Sequence, residues 1–439
     1  MAEIVSSYGI EIRHVNRIFY NTITLFNKAI SFCIEAFDKE WDELKTLDTL
    51  KQKNMAEHLV HGTKNNVAKY SEFDVLFYKM PSYLRRSAIS YALGALSSYH
   101  SNLANWEQTD KITTRPKLQK DMNKLPAFYR DNMYEGDGSD EVSLKLYVDN
   151  DWKWVNFTLK HTDMQYIRKH CHMSQMTCPV LEKVHHKWFL RFAFKDTYKL
   201  SKKKYDMQTI LAVDLGINTD AVCSVMRSDG TVLARKFINF ASEKDLIYHT
   251  LGKIKKVSKK SGSHNTTKLW RYVTMHNEEL ARKIAKAIAD YAVSMNCDII
   301  VFEHLDTNGK KRGAKKQRLH MWRKNTIQKI VEHKAHKNNI RISRICAWNT
   351  SKLAYDGSGE VLRGKEGGLS NNKLCKFSNG KIYNCDLSAS YNIGARYFIR
   401  EMEKTISAKR WSQIQAKVPD CEKRTWCTYA TLLMINGAA

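Results

Sequence analysis

The chain has 439 residues, with 72 Lys and Arg against 45 Asp and Glu, a formal charge of +27 at pH 7. That length exceeds one ordinary hydrophobic core, so about two to four domains are expected, and an excess of positive charge this large is relieved by a polyanionic partner. No apolar run reaches the roughly 18 residues of a membrane span, Met1-Ala2-Glu3-Ile4 does not open a signal peptide, and ten cysteines without a Cys-x-x-Cys pair argue for reduced thiols.

These exclusions favour a cytoplasmic, nucleoid-associated protein with no membrane partner. Residues 4–13 read as a first strand, set within a segment 1–18. Phe19, Ile23, Phe26, Ile30, Cys33 and Phe37 recur at spacings of four and three, a stripe along one long helix. Helical patterns continue, giving a helical module over 19–112. Its Tyr91, Tyr99 and Trp106 read as core rather than as a stacking surface. The pattern then changes. Val142, Leu144, Leu146 and Val148 alternate with polar residues, as do the residues from Trp152 to Leu159 beyond the Asp149-Asn150-Asp151 turn. A second hairpin folds about His185-His186. Short alternating strands over 113–206 predict a small antiparallel barrel, a shape that often holds oligonucleotides. His170-Cys171-His172 and Cys178 resemble a metal cluster, but neighbouring side chains on a strand point to opposite faces, and no cluster is expected there.

From about 207 the pattern is different again. Ile210-Leu211-Ala212-Val213 runs into Asp214, then Gly216, which reads as a buried strand ending in an acid. A hairpin follows about Asp229-Gly230. This is the opening of an RNase H-like sheet. Lys253, Lys255, Lys256, Lys259 and Lys260 crowd one run, either a solvated linker or a set of phosphate contacts. Leu280, Ile284, Ile288, Tyr291 and Met295 line a crossover helix into a second acid-ended strand, Asp298 to Glu303. Residues 308–344 hold thirteen Lys or Arg and one acid, Glu332. Lys310, Lys311, Arg312, Lys315, Lys316, Arg318, Arg323 and Lys324 are the candidate nucleic-acid contacts there. Interleaved His320, Trp322, Ile327, Ile330 and Val331 predict a helix with one packed face. Residues 349–384, rich in Gly, Ser, Asn and Lys, read as a looped insert. A helix then starts at Asp386, with Ala389, Ile393 and Tyr397 on the same face. A further helix is expected over residues 409–418.

Three carboxylates gathered at strand and helix ends repel one another and would each pick up a proton unless a cation neutralised them. Hard divalent ions such as Mg2+, or Mn2+, suit oxygen ligands, and two such ions can drive phosphodiester hydrolysis. Asp214, Glu303 and Asp386 are therefore the candidate metal-binding and catalytic residues. Basic charge around them would draw a polyanion to the site.

The blocks Val213-Asp214-Leu215-Gly216-Ile217-Asn218, Ile300-Val301-Phe302-Glu303-His304-Leu305 and Asp386-Leu387-Ser388-Ala389-Ser390-Tyr391-Asn392-Ile393 resemble the RuvC-like motifs of TnpB, the transposon-encoded OrfB proteins, and of their relatives, the miniature type V CRISPR effectors. Leu319-His320-Met321-Trp322-Arg323-Lys324, His333-Lys334-Ala335-His336 and Asn349-Thr350-Ser351-Lys352 extend the resemblance, which is dense over 207–400 and thinner before it. It implies a multidomain α+β and α/β protein. Its parts are an N-terminal helical recognition module, a β-barrel wedge and a RuvC-like nuclease in two pieces (207–348 and 385–402), followed by a tail (403–439). The implied activity is RNA-guided, Mg2+-dependent cleavage of double-stranded DNA beside a short adjacent motif, with guide RNA and target DNA as partners and a second copy of the chain as a further candidate. Family members often carry a four-cysteine zinc module in the insert 349–384. Here those positions fall on Ala354, Gly357, Cys375 and Ser378, and one cysteine cannot hold tetrahedral zinc, so a degenerate finger without zinc is expected. The alternatives are a guided repressor, which usually lacks one of the acids, and a DDE-type transposase, which would want a sequence-specific DNA-binding head.

Overall fold

The computed structural model describes residues 1–15, 17–108, 114–173, 176–261, 266–304 and 321–438. Contacts divide them into two units, one of Val5–Asp196, the other of Thr197–Ala439 with Met1–Ile4.

In the first unit the apolar stripe becomes α1 (Phe19–Lys39), where Phe19, Phe26, Ile30, Cys33 and Phe37 are fully buried. Helices α2 (Trp41–Leu44), α3 (Thr49–Val60), α4 (Glu72–Leu76) and α5 (Ser82–Gln108) follow. Strands β1 (Ala2–Glu11), β5 (Val180–Val184) and β6 (Lys187–Tyr198) form one sheet, and β2 (Tyr134–Glu135), β3 (Glu141–Val148) and β4 (Asp151–Thr158) form another. Asp149 and Asn150 both take positive φ, 52° and 60°, which lets the β3–β4 hairpin turn tightly. Helix α6 (His161–His170) follows β4.

Both sheets are three-stranded and open, so the closed barrel expected over 113–206 does not form among the described residues. Closure needs continuous pairing around the ring. Here β2 is two residues long, and one isolated bridge, Ile12 to Leu159, stands between β1 and β4. The parts expected as separate helical and barrel domains share a single core. Phe19 stacks on Phe157 at 5.3 Å and meets Trp188 at 5.1 Å. The three aromatics read as core are less covered than expected: Tyr91 is 39% exposed, and Tyr99 and Trp106 are half-buried.

The second unit is built on a five-stranded sheet in the order β11–β10–β7–β8–β9. Its members are β7 (Thr209–Leu215), β8 (Ala221–Arg227), β9 (Val232–Ile238), β10 (Ile299–His304) and β11 (Arg341–Cys346). β7, β8 and β9 pair antiparallel, while β10 is parallel to both β7 and β11. Side chains alternate between faces along each strand. Leu211, Val213, Ile300 and Phe302 face helices α7 (Ala241–Ser261), α8 (Thr267–Ser294) and α9 (Lys324–Lys337). Ile210, Ala212, Ile299 and Val301 face α10 (Cys385–Thr405), with α11 (Ala408–Lys417) and α12 (Tyr429–Ala438) beyond it. Between β11 and α10 the insert forms a small sheet of β12 (Leu362–Arg363), β13 (Leu374–Lys376) and β14 (Ile382–Asn384), set on a cluster of Ala354, Cys375, Phe377 and Cys385.

Helix α10 approaches the sheet closely at Gly394, where an added Cβ would stand 2.4 Å from Met226 Sδ and 3.2 Å from Ala212 Cβ. Overpacking a closed core costs about 1–3 kcal/mol. Gly394→Val should therefore lower the unfolding free energy of the full chain, read from urea melts, by about 1–3 kcal/mol, and an unchanged melt would contradict this packing.

Candidate active site

The register between β7 and β10 pairs Val213 with Phe302. Asp214 and Glu303 are the next residues on these parallel neighbours, so they stand level and on one face of the sheet. That face is the one covered by α10. Asp386 lies in the first turn of α10, whose N-cap Asn384 accepts a 2.9 Å hydrogen bond from the Leu387 amide. A carboxylate there also gains from the helix dipole. Burial brings the three acids into electrical contact. Asp214 is 9% and Glu303 8% exposed.

Each acid is held above the ordinary carboxylate range. For Asp214 the causes are burial first, then the charges of Glu303 and Asp386, with Arg363 opposing them. For Glu303 burial dominates, opposed by a hydrogen bond from the Thr350 hydroxyl and by the Arg396 charge. For Asp386 burial again leads, opposed by Arg363, the Thr219 hydroxyl and Lys373. Thr350, Thr219 and Arg363 thus belong to the acids' surroundings although no sequence pattern singled them out. Their proximity is tertiary. Only the Asn349-Thr350-Ser351-Lys352 block brushed against one of them.

The donor chemistry fits a divalent cation, because a buried Asp214 repelled by the buried Glu303 and the partly buried Asp386 is what such an ion neutralises. Among the described residues, however, no three His, Cys, Asp or Glu side chains form a group able to hold a metal ion. Glu303 spends one carboxylate oxygen on Thr350. Electrostatic coupling is present, and a closed coordination shell is not. A separate cavity of about 410 Å3 lies between the loop after β7, α7, α8 and Trp322. Its walls include Ile247, Leu280 and Ile284 and none of the three acids.

The basic candidates divide three ways. Lys253, Lys255 and Lys256 are exposed on α7, so the segment is a helix rather than a linker. Arg323 precedes α9, with its guanidinium 3.7 Å from Glu278. Lys324 is only 5% exposed, with its ammonium 5.8 Å from the Trp322 ring centroid. That burial removes it from the set of surface phosphate contacts. Lys324 is also the first residue of α9, so Trp322 precedes that helix instead of lying on it. Lys310, Lys311, Arg312, Lys315, Lys316 and Arg318 lie outside the described residues.

Comparison with known proteins gives a relative by sequence. A TnpB-like protein, aq_aa05 of Aquifex aeolicus (strain VF5), is 24% identical over 212 residues, covering 44% of this chain and 68% of its own. Residues 6–148 match the Aq_aa04 family. Among solved structures, a Cas12f1-sgRNA-target DNA complex aligns at 14% identity, over 89% of this chain and 98% of its own, with a TM-score of 0.35. C2c1 of Alicyclobacillus acidoterrestris in complex with single-guide RNA aligns at 10% identity over 88% and 66%, with a TM-score of 0.42. The chain is similar in sequence to this TnpB-like protein, in line with the resemblance its motifs suggested.

A folded carboxylate held above its unfolded value binds more protons than the unfolded chain between those two values, so stability is lost as pH rises through that window. Removing one charge should relieve this. In EDTA at about pH 8, Asp214→Asn should be more stable than the wild type, melting at a higher temperature. The difference should shrink at about pH 4. Thermal melts that coincide at both pH values would contradict the repulsion.

Proposed function

We propose that this chain is an RNA-guided DNA endonuclease that cleaves target DNA in a RuvC-like, RNase H-type site built from Asp214, Glu303 and Asp386. The observation that carries the reading is the level placement of Asp214 and Glu303 on adjacent parallel strands, beneath the helix whose first turn holds Asp386. The sheet order supports it, with three antiparallel strands followed by two parallel ones and the acids on the middle strand β7 and its neighbour β10. So does the relatedness to a TnpB-like protein. A formal charge of +27 suits guide RNA and duplex DNA as the partners.

Asp214, Glu303 and Asp386 would hold Mg2+, or Mn2+, which when bound would activate water and stabilise the charge developing on the phosphodiester. The rest falls to the chain's own groups. Thr350 orients the Glu303 carboxylate by its hydroxyl hydrogen bond. Arg363, anchored on the Ser351 carbonyl, sets its positive charge against Asp214 and Asp386. There it can receive a phosphate that three acids alone would repel. Apolar packing of α10 on the sheet keeps water from the acids' inner side. The insert needs no structural zinc in this reading, since Ala354 and Cys375 are buried in its own apolar cluster.

Asp214→Ala should reduce plasmid cleavage by about a thousandfold or more, because several kcal/mol of transition-state stabilisation would be lost. Guide RNA binding by gel shift should stay within about twofold of wild type, since salt-dependent phosphate contacts carry it. A variant that still cuts would end the site assignment. Elemental analysis of the purified protein should find zinc well below one equivalent, because a lone cysteine cannot complete a tetrahedral site; a full equivalent would show the insert misread.

A further inference from the structure

Trp348 is 70% exposed, more than any other large aromatic in the second unit except Tyr248 at 71%. Single exposed apolar side chains are common and need no explanation. What sets this one apart is the backbone beneath it. Trp348 precedes Asn349, which takes φ of 64°, in the turn that ends with Thr350 bonded to Glu303. Arg396, 5% exposed, donates to the carbonyls of Cys346 at 3.1 Å and Trp348 at 2.6 Å. Asn392, fully buried, donates to the carbonyls of Thr350 and Leu353, both at 2.9 Å. Both donors project from α10, the helix that carries Asp386.

A loop free to move would fold a bare indole onto the nearest apolar surface. This turn is pinned on both sides of Trp348 by a buried arginine and a buried asparagine, so the ring stays in solvent two residues from the partner of Glu303. The chain's formal charge of +27 favours a polyanion. Close to Trp348 in sequence, Lys352 is 57% exposed at its side chain and pairs with Glu360 at 2.6 Å, and Arg363 donates to the Ser351 carbonyl while its charge faces Asp214 and Asp386. A flat apolar ring held in solvent on a strongly basic chain is suited to single-stranded nucleic acid, where the ring takes a base face and basic groups take the backbone. In a duplex both faces of each base are already stacked. The available ligand is an unpaired base.

We propose that Trp348 is a stacking platform for an unpaired base of the DNA strand led to Asp214, Glu303 and Asp386. It is a positioning residue, and the proposal rests on the nuclease reading for its location beside the cut. Stacking tolerates any base, so it would add affinity for single strands without sequence preference.

The test uses the full chain with its copurifying RNA, carrying Asp214→Asn so that nothing is cut. Anisotropy of a fluorescein-labelled oligo(dT) reads affinity. A 2-aminopurine oligonucleotide reads stacking directly through quenching of its fluorescence. Trp348→Ala should weaken oligo(dT) binding about tenfold and abolish the quenching, whereas Trp348→Phe, which keeps a ring face, should stay within about threefold of the parent. Equal affinity of Trp348→Ala and parent would overturn the proposal, and so would equal losses in the two variants. Cleavage by the chain with Asp214 intact is scored separately. Its absence would remove the nuclease reading while leaving the stacking result standing on its own.

Discussion

Carboxylates prefer water, and this fold denies it to two of them and limits it for a third. Asp214 and Glu303 are the penultimate residues of strands buried on both faces along most of their length, and Asp386 lies in the first turn of a helix that is buried along most of its length. Their placement follows from the packing of α10 across β7, β8 and β10. Gly394 allows the helix close to Ala212 and Met226, and the buried hydroxyls of Ser390 and Ser224 meet at 2.5 Å between helix and sheet. The apolar contacts stabilise the layer, and the acids at its edge are carried into a low-dielectric setting that raises the cost of their charge. A structure whose best-packed element also enforces electrostatic repulsion is one that a cation would stabilise.

The same helix organises the chain on its other side. Asn392 and Arg396 hold four carbonyls of the segment from Cys346 to Leu353, and Asn392 also accepts from the Tyr429 amide at 3.0 Å. Arg396 further donates to the carbonyls of Thr425 and Cys427. One helix thus supplies an acid, fixes the turn that orients a second acid, and anchors the C-terminal segment. Buried polar side chains of this kind are costly unless every donor finds an acceptor. These two find theirs in backbone carbonyls brought from elsewhere in the sequence.

Much of this was legible beforehand because it depends on local pattern. The run from Ile210 to Asp214, the hairpin about Asp229-Gly230, the stripe of α1 and the crossover helix through Ile284 and Ile288 each announce themselves by period and turn chemistry. Other features depend on contacts between distant residues, which no window of sequence contains. Thr350 beside Glu303, Thr219 beside Asp386, and Arg363 reaching the acids from the insert are of that kind. The buried Lys324 reads as basic surface until the structure sets it against Trp322. Tyr91 sits at helical spacing with core residues yet lies on the rim of its helix. The barrel went wrong at closure, since alternation predicts strands and says nothing about whether the last one reaches the first. The insert's small sheet was hidden in a stretch rich in Gly, Ser and Asn, residues that read as loop, and α12 was not anticipated.

The central claim is that Asp214, Glu303 and Asp386 are one cation site, although Glu303 is at present engaged with Thr350. Anomalous diffraction from crystals soaked in Mn2+ examines it without reference to activity. A peak within about 2.3 Å of carboxylate oxygens of both Asp214 and Glu303, with Asp386 bound directly or through water, is the predicted result. Manganese found only on surface acids, with Glu303 still turned to Thr350, would contradict it.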